Sequence, residues 1–132
     1  MKRALLSAIL ILSTLSFAQT ADVQGLINDG NAAAHRDDHA EAISDYQTAI
    51  HLDPSVRDSL LLKLGQQYLW SGQSGPAADL LGEYVKKNPA DCSARSTYAL
   101  ALSWANRLKE AEAMYRDLRN NCPELSLDAA LG

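Results

Sequence analysis

The apolar positions of residues 40–54, AEAISDYQTAIHLDP, follow a helical rhythm. Ala42, Tyr46 and Ala49 fall at i, i+4 and i+7, so they share one face, and Leu52 continues it. Pro54 prevents the helix from running on. The same arrangement then recurs. Ala77, Leu81 and Tyr84 precede Pro89, and Ala111, Tyr115 and Leu118 precede Pro123. Matching positions lie about 34 to 35 residues apart, which is the period of a solenoid of helix pairs.

Read in order, the pattern predicts six helices. The first opens after Thr20 with Asp22 as its cap, carries Leu26, Gly30 and Ala33 on one face, and ends near His35 or Arg36. Asp37 or Asp38 caps the second, which runs to about Leu52. Residues 60–70 form the third, with Leu61, Leu64, Gly65 and Tyr68 on its inner side. Ser71-Gly72-Gln73 breaks it, and Ser74 is the expected cap of the fourth, which tolerates Pro76 in its first turn and ends at Lys86-Lys87. A fifth helix opens at Asp91, Asn106-Arg107 makes the turn, and a sixth spans residues 108–119. Residues 125–132 remain as a short C-terminal stub. No strand-like alternation extends beyond a few residues, so the expected class is all-α.

Each predicted pair has a small residue on its first helix (Gly30, Gly65, Ala99) and an alanine about twelve residues later (Ala42, Ala77, Ala111). Missing side chains on both helices let the axes approach, as ridge-into-groove packing requires. One pair cannot cover its own apolar face, whereas three stacked pairs can.

This pattern resembles the tetratricopeptide repeat, a 34-residue unit with small residues at positions 8, 20 and 27, large ones at 11 and 24, and proline at 32. With repeats at about 23–56, 58–91 and 92–125, position 8 is Gly30, Gly65 and Ala99. Position 20 is Ala42, Ala77 and Ala111, position 24 is Tyr46, Leu81 and Tyr115, and position 32 is Pro54, Pro89 and Pro123. Position 27 departs from the pattern, with Ala49 followed by Tyr84 and Leu118. The resemblance implies an α-solenoid of three helix-turn-helix repeats with a short C-terminal stub.

Composition adds the compartment. Lys2 and Arg3 precede an apolar run from Ala4 to Ala18, and Ser16 and Ala18 are the small residues of a cleavage site. This is the plan of a secretory signal peptide over residues 1–18, with an uncleaved anchor helix as the alternative. The mature domain is then 19–132. Cleavage removes two basic residues and no acidic one, taking the formal charge from -4 to -6. No basic run exceeds Lys86-Lys87, which argues against a nucleic acid as the main partner. The expected location is secreted and periplasmic.

Chemistry has few candidates. In the repeat register Cys92 and Cys122 occupy positions 1 and 31, at neighbouring ends of an antiparallel pair. A secreted chain oxidises such a pair to a disulfide. A redox or metal role has less support, because the spacing is not CxxC. His35 and His39 have metal-ligand spacing, but a helix break falls between them. No catalytic arrangement, phosphate loop, metal or cofactor site is predicted, so the chain reads as no enzyme.

The remaining signal is the inner groove that the resemblance implies. Positions 2, 5, 9, 12 and 13 of the first helices line it in that family. Here these positions include Asn31, Leu62, Gln66, Leu69, Trp70, Leu100, Ser103 and Trp104. Asn31, Leu62, Gln66, Trp70, Leu100 and Trp104 are the candidate partner-binding residues. Trp70 and Trp104 are equivalent, and both readings stay open: anchors for a peptide or helix, or core between adjacent repeats. The expected function is a non-catalytic protein–protein interaction module of the cell envelope. One alternative is the N-terminal repeat segment of a larger envelope or polysaccharide-export protein, with self-association through the C-terminal edge if the chain ends at Gly132. Another is a thiol-redox protein using Cys92 and Cys122.

Overall fold

The computed structural model describes residues 22–125, all of whose regular structure is helical. The predicted signal segment and most of the C-terminal stub lie outside the described residues. The chain divides into two compact units, with the boundary after Arg57.

The first unit holds α1 (22–35), α2 (His39–Leu52) and a single 3-10 turn at Pro54–Val56. Asp38 is the cap that starts α2, its carboxylate accepting from the Glu41 amide at 3.1 Å. Asp53 ends α2 in an extended conformation, and its carboxylate takes the Ser55 amide and hydroxyl at 3.0 and 2.6 Å. The two helices meet where a side chain is missing. A β-carbon on Gly30 would lie 2.7 Å from Cε1 of Tyr46, so only glycine lets Tyr46 reach its buried place.

The second unit holds α3 (Arg57–Trp70), α4 (Ser74–Lys87), α5 (Cys92–Trp104) and α6 (Leu108–Asn121). Helix α3 starts three residues earlier than its apolar pattern suggests. Ser74 is not the cap of α4: Gln73 occupies that place without a side-chain cap bond, and Ser74 is already helical. Asp91 caps α5 through the Ala94 amide at 2.9 Å. Lys87 at the end of α4 reaches Asp58 at 2.7 Å, clasping the start of α3. Leu69, Ala77, Ala78, Leu81, Ala101, Leu102 and Ala111 form the core of this unit. The residues at positions 8 and 20 of all three repeats are therefore buried, as close packing of the pairs demands. Gly82 is a further contact point. A β-carbon there would lie 3.1 Å from the Tyr98 ring, so α5 packs tightly on α4.

Three turns share one backbone device. The amides of Asp38, Gln73 and Arg107 bond back to the carbonyls of Ala33, Tyr68 and Leu102 at 3.0, 2.8 and 2.9 Å. Each is a Schellman closure. The residue before each of these amides has positive φ: 58° at Asp37, 83° at Gly72 and 60° at Asn106. These are the residue types that tolerate the left-handed region best.

Candidate partner-binding site

Trp70 is the last residue of α3 and Trp104 the last of α5. One repeat of spacing puts them side by side. Their ring centroids are 6.1 Å apart with planes at 77°, an edge-to-face pair. Each is 52% exposed. The alternative that both are core is therefore not what the second unit does with them. Core places at this end of the helices go instead to Leu69 and Leu102, both essentially buried. Leu69 consequently does not line a groove.

Leu62 and Leu100 are partly buried against the core cluster of the second unit. Gln66 and Ser103 are likewise half-buried. Of the six candidates, Leu62, Gln66, Trp70, Leu100 and Trp104 belong to this unit. Asn31 lies in the first unit, and its Oδ1 accepts a hydrogen bond from the Tyr46 hydroxyl at 2.9 Å. That bond gives Asn31 a part in holding α1 to α2. Burial is the main cause that raises the Tyr46 hydroxyl above its ordinary pKa, with neighbouring Asp45 adding to it.

The same end of the second unit carries an arginine clasp. Arg107, in the α5–α6 turn, bonds Asp79 of α4 at 2.9 Å and Glu110 of α6 at 2.9 and 2.8 Å. The guanidinium holds the Glu110 carboxyl below the usual range, while the carboxylates hold Arg107 above its own. This is a structural tie between adjacent helix pairs.

The exposure of two apolar residues was not anticipated from the sequence. Leu108 is 61% exposed and Tyr115 is 42% exposed. With Ser103, Ala111 and Arg119 they border a hollow of about 450 Å³ on α6. Tyr115 occupies repeat position 24, where Tyr46 and Leu81 are buried. Periodicity alone gave it the same environment as its equivalents. The difference is that α4 is covered by α5, while this face of α6 has no such cover among the described residues.

Cys92 and Cys122 form a disulfide with Cα atoms 6.0 Å apart, joining the start of α5 to the residue after α6. Both sulfurs belong to or touch a small cluster with Ala99 and Leu118. His35 closes α1 and His39 opens α2, and among the described residues no His, Cys, Asp and Glu group has the arrangement of a metal site. No described helix is long and apolar enough to cross a membrane.

No family model matches the chain, and no curated protein matches it either. Solved structures do. The crystal structure of MamA protein superposes with a TM-score of 0.61 at 23% identity, over 72% of this chain and 51% of that one. The chain thus spans about half the length of that relative. The crystal structure of the Sgt2 TPR domain from Aspergillus fumigatus gives a TM-score of 0.56 at 26% identity, covering 84% of this chain and 83% of that domain. Helices packed in consecutive pairs, small residues at each crossing and these two likenesses give one conclusion: the chain is a tetratricopeptide-like, all-α protein.

Proposed function

We propose that this chain is a non-catalytic protein–protein interaction module that grips a helix or extended segment of a protein partner on the face carrying Trp70 and Trp104. One observation supports this most: two adjacent tryptophans, each 52% exposed, pack edge to face on each other. A half-exposed indole offers a large rigid surface and an N–H donor, the features that make tryptophan dominant in binding hot spots. Leu62 and Leu100 would extend the apolar contact, and Gln66 would supply polar recognition. Asn31, already engaged by Tyr46, is a secondary candidate. The likeness to the Sgt2 TPR domain supports an interaction role in general.

The proposal includes secretion. Residues 1–18 act as a signal peptide and deliver the mature chain to the periplasm. The Cys92–Cys122 disulfide supports this, since such bonds persist in oxidising compartments. A chain purified from the periplasm with Gln19 at its N-terminus is the expected result.

The test of binding is a crosslinking pull-down from the native host, comparing the mature chain with a Trp70→Ala, Trp104→Ala double variant. Both must show the same helical circular dichroism. A partner captured by the wild type and lost in the variant supports the site; the same partners with both would overturn it.

A second reading draws on Leu108 and Tyr115. A further repeat, as in a longer envelope or export protein, or a second copy of this chain would bury them. The mass of the native product and sedimentation of the purified chain discriminate these.

A further inference from the structure

We propose that the Cys92–Cys122 disulfide is a thiol-exchange site, at which a low-molecular-weight thiol adds to Cys92 and releases Cys122 as a thiolate held by Arg95. The inference is independent of the partner-binding proposal.

Arg95 carries it. This side chain is only 13% exposed. Its Nη1 lies 3.8 Å from the Cys122 sulfur and donates to the Pro89 carbonyl at 3.2 Å. Its Nη2 pairs with the Asp117 carboxylate. The guanidinium is thus fixed from two sides with one nitrogen against the sulfur. A disulfide sulfur is neutral and gains little from a cation, whereas a thiolate gains much. Asp117 balances the guanidinium's charge, so what Nη1 offers a Cys122 thiolate is a fixed charge-assisted N–H donor.

The two cysteines differ in burial. Cys122 is 4% exposed, while Cys92 is half-buried at the first turn of α5. Beside the bond lies a hollow of about 350 Å³ bordered by Ser93, Asn121, Pro123, Glu124 and Leu125, with Glu124 its one charged residue. That volume is within the range of small-molecule sites. Charge on Cys92 would be favoured by the α5 N-terminus, but the Asp91 carboxylate already caps that end through the Ala94 amide. The negative charge therefore leaves on Cys122.

The step balances without a further reagent. The incoming thiolate attacks Cys92 Sγ and forms a mixed disulfide, the Cys92–Cys122 bond breaks, and its electron pair goes to Cys122 Sγ. A second thiolate attacking the mixed disulfide releases Cys92 and yields the oxidised small thiol. Attack favours the sulfur of the less buried cysteine, here Cys92, and the better leaving group. Once open, the bond no longer ties the start of α5 to the end of α6.

The test treats the mature chain with reduced glutathione, traps free thiols with an alkylating reagent, and maps the peptides by mass. The expected single adduct carries glutathione on Cys92 and the alkyl group on Cys122. Adduct mainly on Cys122, an even split, or no adduct under conditions that keep the helical signal would overturn the proposal. Arg95→Met should slow the first exchange by roughly three- to tenfold through its effect on the leaving group, and Arg95→Lys should restore most of the rate. An unchanged rate in Arg95→Met removes the arginine's role. If that variant loses its helical signal, the peptide map of the unsubstituted chain still decides the question.

Discussion

Gly65 and Leu81 approach so closely that a β-carbon on Gly65 would lie 2.8 Å from Cγ of the leucine. Gly65 is mid-helix, where alanine is intrinsically better by up to about 1 kcal/mol. The leucine is fully buried, and the atom met is its Cγ and not the free end of the side chain. Overpacking of about 1 to 3 kcal/mol should outweigh the propensity gain. Gly65→Ala is expected to lower the unfolding free energy by a net of up to roughly 2 kcal/mol, read as a lower midpoint in urea unfolding. Gly75, whose β-carbon would meet nothing, is the control, and Gly75→Ala should be neutral or stabilising.

That contrast shows how far sequence reasoning reached. Gly30 and Gly65 were legible because they recur in phase with alanines at matching places. Gly82 was not, since its reason is a tyrosine on the next helix, 3.1 Å away, and no local pattern encodes that neighbour. The helix pairs and several of their ends were legible from proline and from the capping Asp38 and Asp91, whereas Asp22, read as the cap of the first helix, is already helical. Ser74 misled because a serine before a helix reads as a cap even when backbone geometry moves the boundary by one residue. The site divided likewise. Repeat spacing placed Trp70 and Trp104 together, but their exposure depends on Leu69 and Leu102 taking the core places. The exposure of Tyr115 and Leu108 was not legible, because periodicity records which face a residue is on and not whether another helix covers it.

The three turns supply a second prediction. Asp37, Gly72 and Asn106 hold equivalent positive-φ positions, and only one is glycine. A non-glycine residue there costs about 1 kcal/mol, partly offset by the flexibility glycine adds to the unfolded chain. Asn106→Gly is expected to stabilise by a few tenths up to about 1 kcal/mol. Asn106→Val should destabilise by about 1 to 2 kcal/mol, since a β-branched residue fits that region worst. Thermal unfolding of the two variants should bracket the wild type.

Reduction of the disulfide gives a third. It closes a loop with a sequence separation of 30 residues. Chain-entropy arithmetic for such a loop gives roughly 3 to 4 kcal/mol. Urea unfolding of the second unit with and without a strong reductant should differ by about that amount, and a Cys92→Ser, Cys122→Ser variant should match the reduced chain. A difference below about 1 kcal/mol would mean that packing around Ala99 and Leu118 already restrains these ends.

Titration behaviour gives a fourth. Three tyrosines have hydroxyl pKa values above the ordinary one of about 10. Burial is the main cause at Tyr46 and Tyr98, and the hydrogen bond to Asp91, at 3.0 Å, is the main cause at Tyr84. A raised folded value means stabilisation that is full below the unfolded pKa and is lost as pH rises through the folded one. Stability should therefore fall above about pH 10, with phenolate absorbance from these three tyrosines appearing late. The acid side runs the other way. Asp53, held low first by the Ser55 hydroxyl, and Glu110, held low by Arg107, stabilise above the usual carboxylate range and lose that contribution as pH falls through their lower folded values. Tyr84→Phe should remove one late phenol and leave the Asp91 cap on α5 intact.

The tryptophan pair permits a fifth prediction that does not need a partner. The chain has two tryptophans, so all of its indole signal comes from this pair. Each is 52% exposed, and truncation should cost well below the about 3 to 5 kcal/mol of a buried tryptophan. Their edge-to-face contact should appear in a double-mutant cycle of Trp70→Ala and Trp104→Ala as a coupling of about 0.5 to 1.5 kcal/mol. Each single variant should keep its helical signal, and native emission should be readily reached by a soluble quencher. Single-variant costs of core size, with emission shielded from quencher in the free chain, would place the indoles inside the fold and leave no aromatic surface for a partner. Low costs, measurable coupling and an accessible signal that becomes shielded when a captured partner is added back would tie the exposed pair to binding.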